Sequence, residues 1–134
     1  MNPFTIVNPP ILGKPRGFSH GLLAPTGSRL LFVAGQTAAD AEGHVADNNF
    51  AAQFETALTR VLTIVATAGG RPEHVGRMTI FVTDLDAYLD SRGTLREIWK
   101  RLMDDHYPAM ALVEVKRLVD SGATVEIEAT AVIP

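Results

Sequence analysis

The C-terminal segment, residues 106–134, constrains the fold more than any other part of the chain. It contains two apolar runs separated by a turn-forming stretch, and the second run alternates between apolar and polar side chains. This alternation predicts a β-strand with one buried face. A carboxylate within so apolar a strand is costly unless it faces water, a cation or a ligand. The apolar side chains are Val125, Ile127, Ala129 and Ala131, and the polar ones are Glu126, Glu128 and Thr130.

The N-terminal part of the chain predicts extended structure. Prolines at positions 3, 9, 10 and 15 indicate an extended arm over residues 1–15, with a short strand at best. Residues 18–24 and 30–36 are apolar runs joined by Pro25-Thr26-Gly27-Ser28, which has the chemistry of a turn. We therefore expect a β-hairpin there, followed by a loop over residues 40–47.

Two segments have the periodicity of helices. Residues 49–68 repeat apolar side chains at three- and four-residue steps; Asp47 or Asn48 can cap the start, and Gly69-Gly70 ends the helix. A second helix is predicted over residues 86–105, where Gly93 costs about 1 kcal/mol relative to alanine and is a point where the helix can break or bend. Residues 75–83, between them, predict a strand. The side chains expected to point inward from the second helix are Tyr88, Leu95, Ile98, Trp99 and Leu102.

The resulting ββαβαββ order predicts an α+β fold, in which two helices cover one face of a mixed sheet. Three predicted strand segments are apolar on both faces, which is typical of strands that are buried on both faces of a sheet. They are residues 30–33, 80–82 and 112–115. No third helix is predicted to cover the second face. We therefore expect a homo-oligomer in which sheets of different copies pack together, since a monomer would expose an unusually large apolar patch.

Composition excludes several classes of protein. A length of 134 residues predicts one domain, residues 1–134, and a net charge of −3 gives no basic footprint for nucleic acid. No apolar run is long enough to span a membrane, and residues 1–10 lack the pattern of a secretory signal, so a cytoplasmic location is the default expectation. The absence of cysteine excludes disulfides, thiolate zinc sites and a thiol nucleophile. No phosphate loop or dinucleotide fingerprint occurs, and no cofactor is expected.

Residues 17–21 match the G-x-S-x-G pattern of a hydrolase nucleophile elbow. That elbow requires a helix directly after the serine, whereas Ser19 leads into a predicted strand, so a structural strand start is the favoured interpretation. His20 shares a face with Phe18 and is expected to be either structural or part of a pocket. The four histidines have no metal-ligand spacing, and no metal is predicted.

Glu126 and Glu128 lie on one face of the last strand, about 7 Å apart. Two like charges on a mostly buried sheet raise each other's pKa or require nearby cations. Two interpretations stay open: a cross-strand set of salt bridges that includes Glu114 and Lys116, or a carboxylate that lines a cleft and handles a proton or a water. Gly35 follows an apolar strand, where it either ends that strand or lets backbone N–H groups face a ligand.

Several segments, in the same order, resemble the RidA (YjgF) family. They are FVAGQ at residues 32–36, the helix that contains Gln53 and ends in AGG, IFVTDLDAY at 80–88, HYPAM at 106–110, LVEV at 112–115 and VEIEA at 125–129. The resemblance implies a chorismate-mutase-like domain. It also implies a homotrimer whose three sheets form an inner barrel with the helices outside, and ligand clefts between subunits.

The resemblance also implies roles for single residues. Glu126 matches a glutamate that orders the attacking water, Phe18 an aromatic cleft residue and Gly35 a backbone site. Met110 stands where deaminating relatives carry a carboxylate-binding arginine, and methionine has no N–H group to offer. Two further positions in the cleft, a family cysteine and a family asparagine, correspond to Leu112 and Arg92.

The leading functional hypothesis is hydrolytic deamination of an enamine or imine, or a related water addition, with an altered substrate preference. Arg92 could replace the missing cation from a neighbouring subunit. If it does not, Met110 and Leu112 make the cleft apolar and favour an uncharged or aromatic ligand. The alternative is a non-catalytic metabolite-binding or chaperone-like protein. A ribonuclease, the activity suggested by the name of some relatives, is disfavoured by the acidic charge and the lack of a paired-histidine site.

Overall fold

The computed structural model describes residues 2–134 of the chain. Its strands and helices are β1 (Thr5–Val7), β2 (Gly21–Leu23), β3 (Arg29–Gln36), α1 (Phe50–Thr67), β4 (Val75–Val82), α2 (Leu85–Asp90), α3 (Arg92–Met103), β5 (Ala109–Glu114) and β6 (Val125–Ile133). Single 3₁₀ turns occupy Pro10–Leu12 and Pro72–His74. No helix in residues 2–134 is long and apolar enough to cross a membrane.

Four strands form one mixed sheet in the order β3-β6-β4-β5, in which only the β4–β5 pair is parallel. The expected α+β architecture, a mixed sheet with the helices on one face, is confirmed. The expected hairpin between residues 18–24 and 30–36 is wrong. β2 pairs with β1, while β3 pairs with β6. The turn itself exists, with the Ser28 hydroxyl donating to the Pro25 carbonyl at 3.1 Å, but it joins strands of two different sheets.

Helix α1 forms the main contact between the helical layer and the sheet. Its start is capped by Asn49, whose side chain accepts from the Ala52 N–H at 2.9 Å. The expected cap at Asp47 or Asn48 is therefore wrong, because the Asp47 carboxylate instead accepts from the Asn49 N–H at 2.8 Å and turns the chain into the cap. The face that α1 buries comprises Phe50, Gln53, Phe54, Ala57, Leu58, Val61 and Val65.

The second predicted helix, residues 86–105, is divided into α2 and α3, so the break or bend expected at Gly93 is a break. α2 ends at Asp90, and Ser91, two residues before Gly93, separates it from α3. The Nε of Arg92 donates to the Leu89 carbonyl at 3.0 Å and satisfies one of the carbonyls left free where α2 ends. After the break, α3 buries Leu95, Ile98, Trp99 and Met103 in the core that α1 and the sheet share.

The sheet face opposite the helices is largely uncovered within one chain. Leu30 and Phe32 on this face are 62% and 76% exposed, and Val113 on the edge strand is also exposed. The N-terminal arm covers only a part of the face: Phe4 is buried and lies so close to Gly76 that a Cβ there would approach the Phe4 ring to 2.9 Å. The apolar strand pattern therefore leaves a surface that one copy of the chain does not bury.

Gln53 connects helix α1 to the start of β6 and is fully buried. Its Nε2 donates to the carbonyls of Asp47 and Gly122 at 2.8 and 3.1 Å, and its Oε1 accepts from the Thr124 N–H at 2.8 Å. One side chain thus satisfies three backbone groups and holds the β6 entrance, two residues before Glu126, against the helix.

We expect Gln53→Met to lower the free energy of unfolding by at least about 2 kcal/mol, because it leaves buried backbone groups without partners. Urea denaturation monitored by circular dichroism measures this change. Thr59→Ala, at an exposed position of the same helix, serves as the control and should stay within about 0.5 kcal/mol of wild type. A Gln53→Met loss no larger than that of the control would contradict this role.

Candidate functional site

Glu126 and Gly35 are brought together on the helix-free face of the sheet. A Cβ atom placed on Gly35 would lie 2.8 Å from both Cδ and Oε2 of Glu126. A side chain at position 35 would displace the carboxylate end of Glu126, so glycine lets this carboxylate lie against the β3 backbone. The two residues that the resemblance assigned to the water and backbone sites are therefore neighbours.

An irregularity in β3 creates this approach. The pairing register with β6 shifts between Val33 and Gln36, so Ala34 and Gly35 fall outside the ladder. Such a bulge bends the strand and leaves backbone groups unpaired. The alternation of β6 places Glu126 on the face opposite the core, since its neighbours Val125 and Ile127 are fully buried on the helix side.

The segment after the bulge is held in place by hydrogen bonds that involve side chains. The Thr37 hydroxyl donates to the Asp120 carboxylate at 2.6 Å, and Arg60 donates from Nη1 to the carbonyls of Thr37 and Ala39. These bonds fix the chain leaving β3 against helix α1 and against the loop before β6. They also hold an acidic group, Asp120, close enough to Glu126 to influence its charge.

The electrostatic surroundings raise the pKa of the Glu126 carboxyl above its ordinary value of 4.5. Partial burial is the largest cause, followed by repulsion from Asp120 and then from Glu128. Within residues 2–134, neither Glu126 nor Glu128 forms an ion pair, and Glu114 instead accepts from the Leu85 N–H at 2.9 Å. The salt-bridge interpretation of this acidic face thus finds no support within one chain.

A cavity of about 730 Å³ lies on the helix side of the sheet, beside the edge strand β5. Its lining includes Phe18, Arg92, Met110 and Leu112, four of the residues that the sequence assigned to a ligand site. Met110 and Leu112 also pack against the core, so they point to the helix side of the sheet. Sequence reasoning assigned no pocket role to the other lining residues: Arg16, Gly17, Phe54, Ile80, Tyr88, Leu95, Arg96, Trp99, Tyr107 and Ala111.

Aromatic rings give part of this cavity a rigid wall. Trp99 and Tyr107 are stacked, with ring centroids 6.0 Å apart and an interplanar angle of 9°, and the Trp99 indole N–H donates to the His106 carbonyl at 3.1 Å. Phe18 packs edge-to-face with His20 at 5.2 Å. A signal for this wall was available in the sequence, because Tyr107 directly precedes the Pro-Ala dipeptide of the resembling segment.

Ser19 and His20 have structural partners. The Ser19 hydroxyl is buried and donates to the Tyr107 carbonyl at 2.7 Å, and the chain continues into strand β2 rather than a helix. His20 contacts the Gly13 carbonyl through Nε2 at 3.2 Å, and its backbone N–H donates to Asn8. His20 supports Phe18 without appearing among the cavity-lining residues. No group of three potential metal ligands occurs among residues 2–134.

The predicted site residues thus form two groups within one chain. Glu126 and Gly35 lie on the helix-free face, whereas Met110 and Leu112 point to the helix side, where Arg92 joins them. Within one chain, Arg92 lines the same cavity as Met110. Its role as a replacement cation supplied by a neighbouring subunit stays a prediction. A site that uses both groups requires them to come from different copies.

Comparison with known proteins assigns the family. A family model described as Endoribonuclease L-PSP matches residues 16–133 of the chain. The crystal structure of YyfB from Yersinia pestis, titled as a Rid-family protein of unknown function, superposes with a TM-score of 0.82 at 27% identity and covers 99% of this chain and 100% of that one. The protein belongs to the RidA/YjgF family.

Some relatives in this family carry the names of deaminases. The Bos taurus protein named 2-iminobutanoate/2-iminopropanoate deaminase is 30% identical over 105 residues, which cover 78% of this chain and 73% of the relative. TdcF of Escherichia coli strain K12, which carries the name of a reactive intermediate deaminase, is 36% identical over 83 residues, 60% of either chain. The crystal structure of E. coli TdcF with bound serine has a TM-score of 0.65 at 30% identity and covers 91% of this chain and 92% of that one.

The raised pKa of Glu126 predicts a pH-dependent effect on stability. Folding favours the protonated carboxyl, so the native state is penalised as pH rises through the raised pKa, and the penalty disappears below the ordinary value of 4.5. We expect Glu126→Gln, which is neutral at every pH, to be more stable than wild type at pH 8 and equal to it at pH 4. Thermal unfolding of both proteins at the two pH values measures this. Equal melting temperatures at pH 8 would show that the carboxylate ionises without penalty.

Proposed function

We propose that the protein is a homotrimer that hydrolyses an enamine or imine, or performs a related water addition, at clefts between subunits. The observation that carries this proposal is the Glu126 carboxylate, held against the Gly35 backbone on the uncovered face of the sheet with a raised pKa. It occurs in a chain whose relatives carry the names of imine deaminases.

Assembly supplies the second half of the site. The exposed apolar side chains Leu30 and Phe32 lie on the same face of the sheet as Glu126. When this face packs against another copy, the exposed apolar surface is buried and Glu126 comes to lie at a subunit boundary. A cleft at that boundary can then combine Glu126 of one copy with the cavity that contains Met110 of the next.

The chemistry requires one water and no redox step. Glu126 accepts a proton from the water as the water oxygen bonds to the carbon of the C=N group, and it passes this proton to the nitrogen. In the resulting amino alcohol, Glu126 accepts the hydroxyl proton and gives it to the amino group, so that the C=O bond forms, the C–N bond breaks and ammonia leaves. A carboxyl with a raised pKa suits this task, because it takes up a proton more readily near neutral pH than an ordinary glutamate does. The β3 bulge, where Ala34 and Gly35 lie outside the pairing with β6, is the proposed place for a backbone N–H group to face the substrate.

Met110 supports an altered substrate preference. A charged bidentate contact contributes several kcal/mol of binding, about 2–5, so its absence disfavours the short imino acids that an arginine would hold. The same substitution favours the second candidate function, a non-catalytic protein that binds a metabolite. The name Endoribonuclease L-PSP does not lead us to propose an RNA substrate, because the chain carries a net charge of −3.

A matched pair of variants tests the catalytic role. Imines generated in situ from L-amino acids by an amino-acid oxidase serve as substrates, and ammonia release is the readout. We expect Glu126→Gln to lower the rate at least about a hundredfold, a typical contribution of a general base. Glu128→Gln is the control, since it removes the same charge from the same face of β6, two residues away.

The two variants separate the candidate functions. Equal rates of ammonia release for Glu126→Gln and wild type would show that Glu126 takes no part in the reaction. If wild type releases no ammonia above the spontaneous rate but melts at a higher temperature with an added metabolite, the binding function replaces the enzymatic one.

A further inference from the structure

The charge on the cavity wall is opposite to the charge of the whole chain. The protein has a net charge of −3, yet the residues that line the cavity of about 730 Å³ include three arginines and no Asp or Glu. The three arginines are Arg16, which precedes β2, and Arg92 and Arg96, one turn apart on α3. A concave wall with one sign of charge concentrates ligands of the opposite sign.

Two of these arginines are not engaged by the protein. Within residues 2–134, the side chains of Arg16 and Arg96 form neither a hydrogen bond nor an ion pair, whereas the side chain of Arg92 donates from Nε to the Leu89 carbonyl. Two other cationic residues of α3 do form ion pairs: Lys100 pairs with Asp104 and Asp105, and Arg101 pairs with Glu55. The guanidinium groups that face the cavity therefore retain their donors for a ligand, and such forks bind carboxylates in bidentate geometry.

The rest of the wall fits a flat apolar group. Trp99 and Tyr107 form a stacked pair whose orientation the indole hydrogen bond fixes, and Phe18 contributes a further ring. Met110 and Leu112 complete the apolar surface and have no polar group to satisfy. Aromatic side chains favour aromatic partners in offset or edge-to-face contact. The volume is within the range of small-molecule sites and leaves room for a ring beside an anionic group.

We propose that this cavity binds an arylalkyl carboxylate, with Arg16 and Arg96 holding the carboxylate and the Trp99–Tyr107 wall holding the ring. The inference rests on the proposed function and specifies its substrate class: an aromatic 2-imino acid rather than a short aliphatic one. Arg16 and Arg96 take the place of the arginine that deaminating relatives carry at the position of Met110. Arg16 lies in the segment before β2, and Arg96 lies on helix α3.

Binding of three stable probes to the purified full-length protein tests the proposal by calorimetry. 3-Phenylpropanoate carries the ring and the charge, 3-phenylpropanamide keeps the ring without the charge, and butanoate keeps the charge without the ring. We expect 3-phenylpropanoate to bind at least about tenfold more tightly than either of the others. Arg16→Gln and Arg96→Gln should each weaken its binding about three- to tenfold, the range for one typical hydrogen bond, and leave the amide within about twofold.

Arg101→Gln is the matched control, because it removes the same charge from the same helix at a position outside the cavity lining. It should bind 3-phenylpropanoate as wild type does. Equal affinity for butanoate and 3-phenylpropanoate, or unchanged binding by both cavity variants, would overturn the proposal. So would a cavity variant that dissociates the assembly without changing affinity, since its arginine would then belong to a subunit contact.

The binding pattern does not depend on turnover, so the two proposals fail separately. If the probes bind as expected and ammonia is not released from aromatic imines, the proposed reaction is wrong and the ligand class stands. If ammonia is released only from short aliphatic imines and 3-phenylpropanoate does not bind, the ligand class is wrong and the reaction stands.

Discussion

The uncovered face of the four-stranded sheet is the constraint on which the rest of this structure depends. Helices α1 and α3 bury one face, and none of the helices in residues 2–134 covers the other. Leaving Leu30 and Phe32 in water is unfavourable, by about 25 cal/mol for each Å² of apolar surface that could otherwise be buried. The same face carries the Glu126 carboxylate, so whatever covers the apolar side chains also determines how dry the environment of this carboxylate becomes. Stability and chemistry are thereby connected through one surface.

Gly35 illustrates how closely this surface is built around the carboxylate. The bulge in β3 and the missing Cβ are both needed for Glu126 to lie against the backbone. Thr37, Asp120 and Arg60 then hold the segment beyond the bulge in place. The environment that raises the pKa of Glu126 is thus a product of the fold, since burial and fixed acidic neighbours both come from the way β3 and β6 pair.

Much of the fold could be predicted from local patterns. The periodicity of residues 49–68 and the alternation in β6 each reflect burial on one side, which a sequence records directly. The pairing of β3 was missed because its partner β6 lies about a hundred residues away, and a genuine turn at residues 25–28 made the nearer strand the obvious partner. Gly93 predicted a break or bend in the second helix, and the break lies two residues earlier, at Ser91. Among the candidate site residues, the resemblance pointed to Glu126 and Gly35, which the structure places side by side. No signal in the sequence pointed to Arg16 and Arg96, since their common cavity depends on how α3 packs beside the segment before β2.

In the proposed assembly, Glu126 of one copy meets the cavity of another. The chain contains no cysteine, so introduced cysteines report on this directly. A chain with Met110→Cys and Glu126→Cys, treated with a short bis-maleimide, should give two and three covalently joined chains on a denaturing gel, and each single variant should give far fewer. Glu126 and Met110 point to opposite faces of the sheet, so joining within one chain is disfavoured. Only single chains, at a concentration where the protein is folded, would contradict the claim.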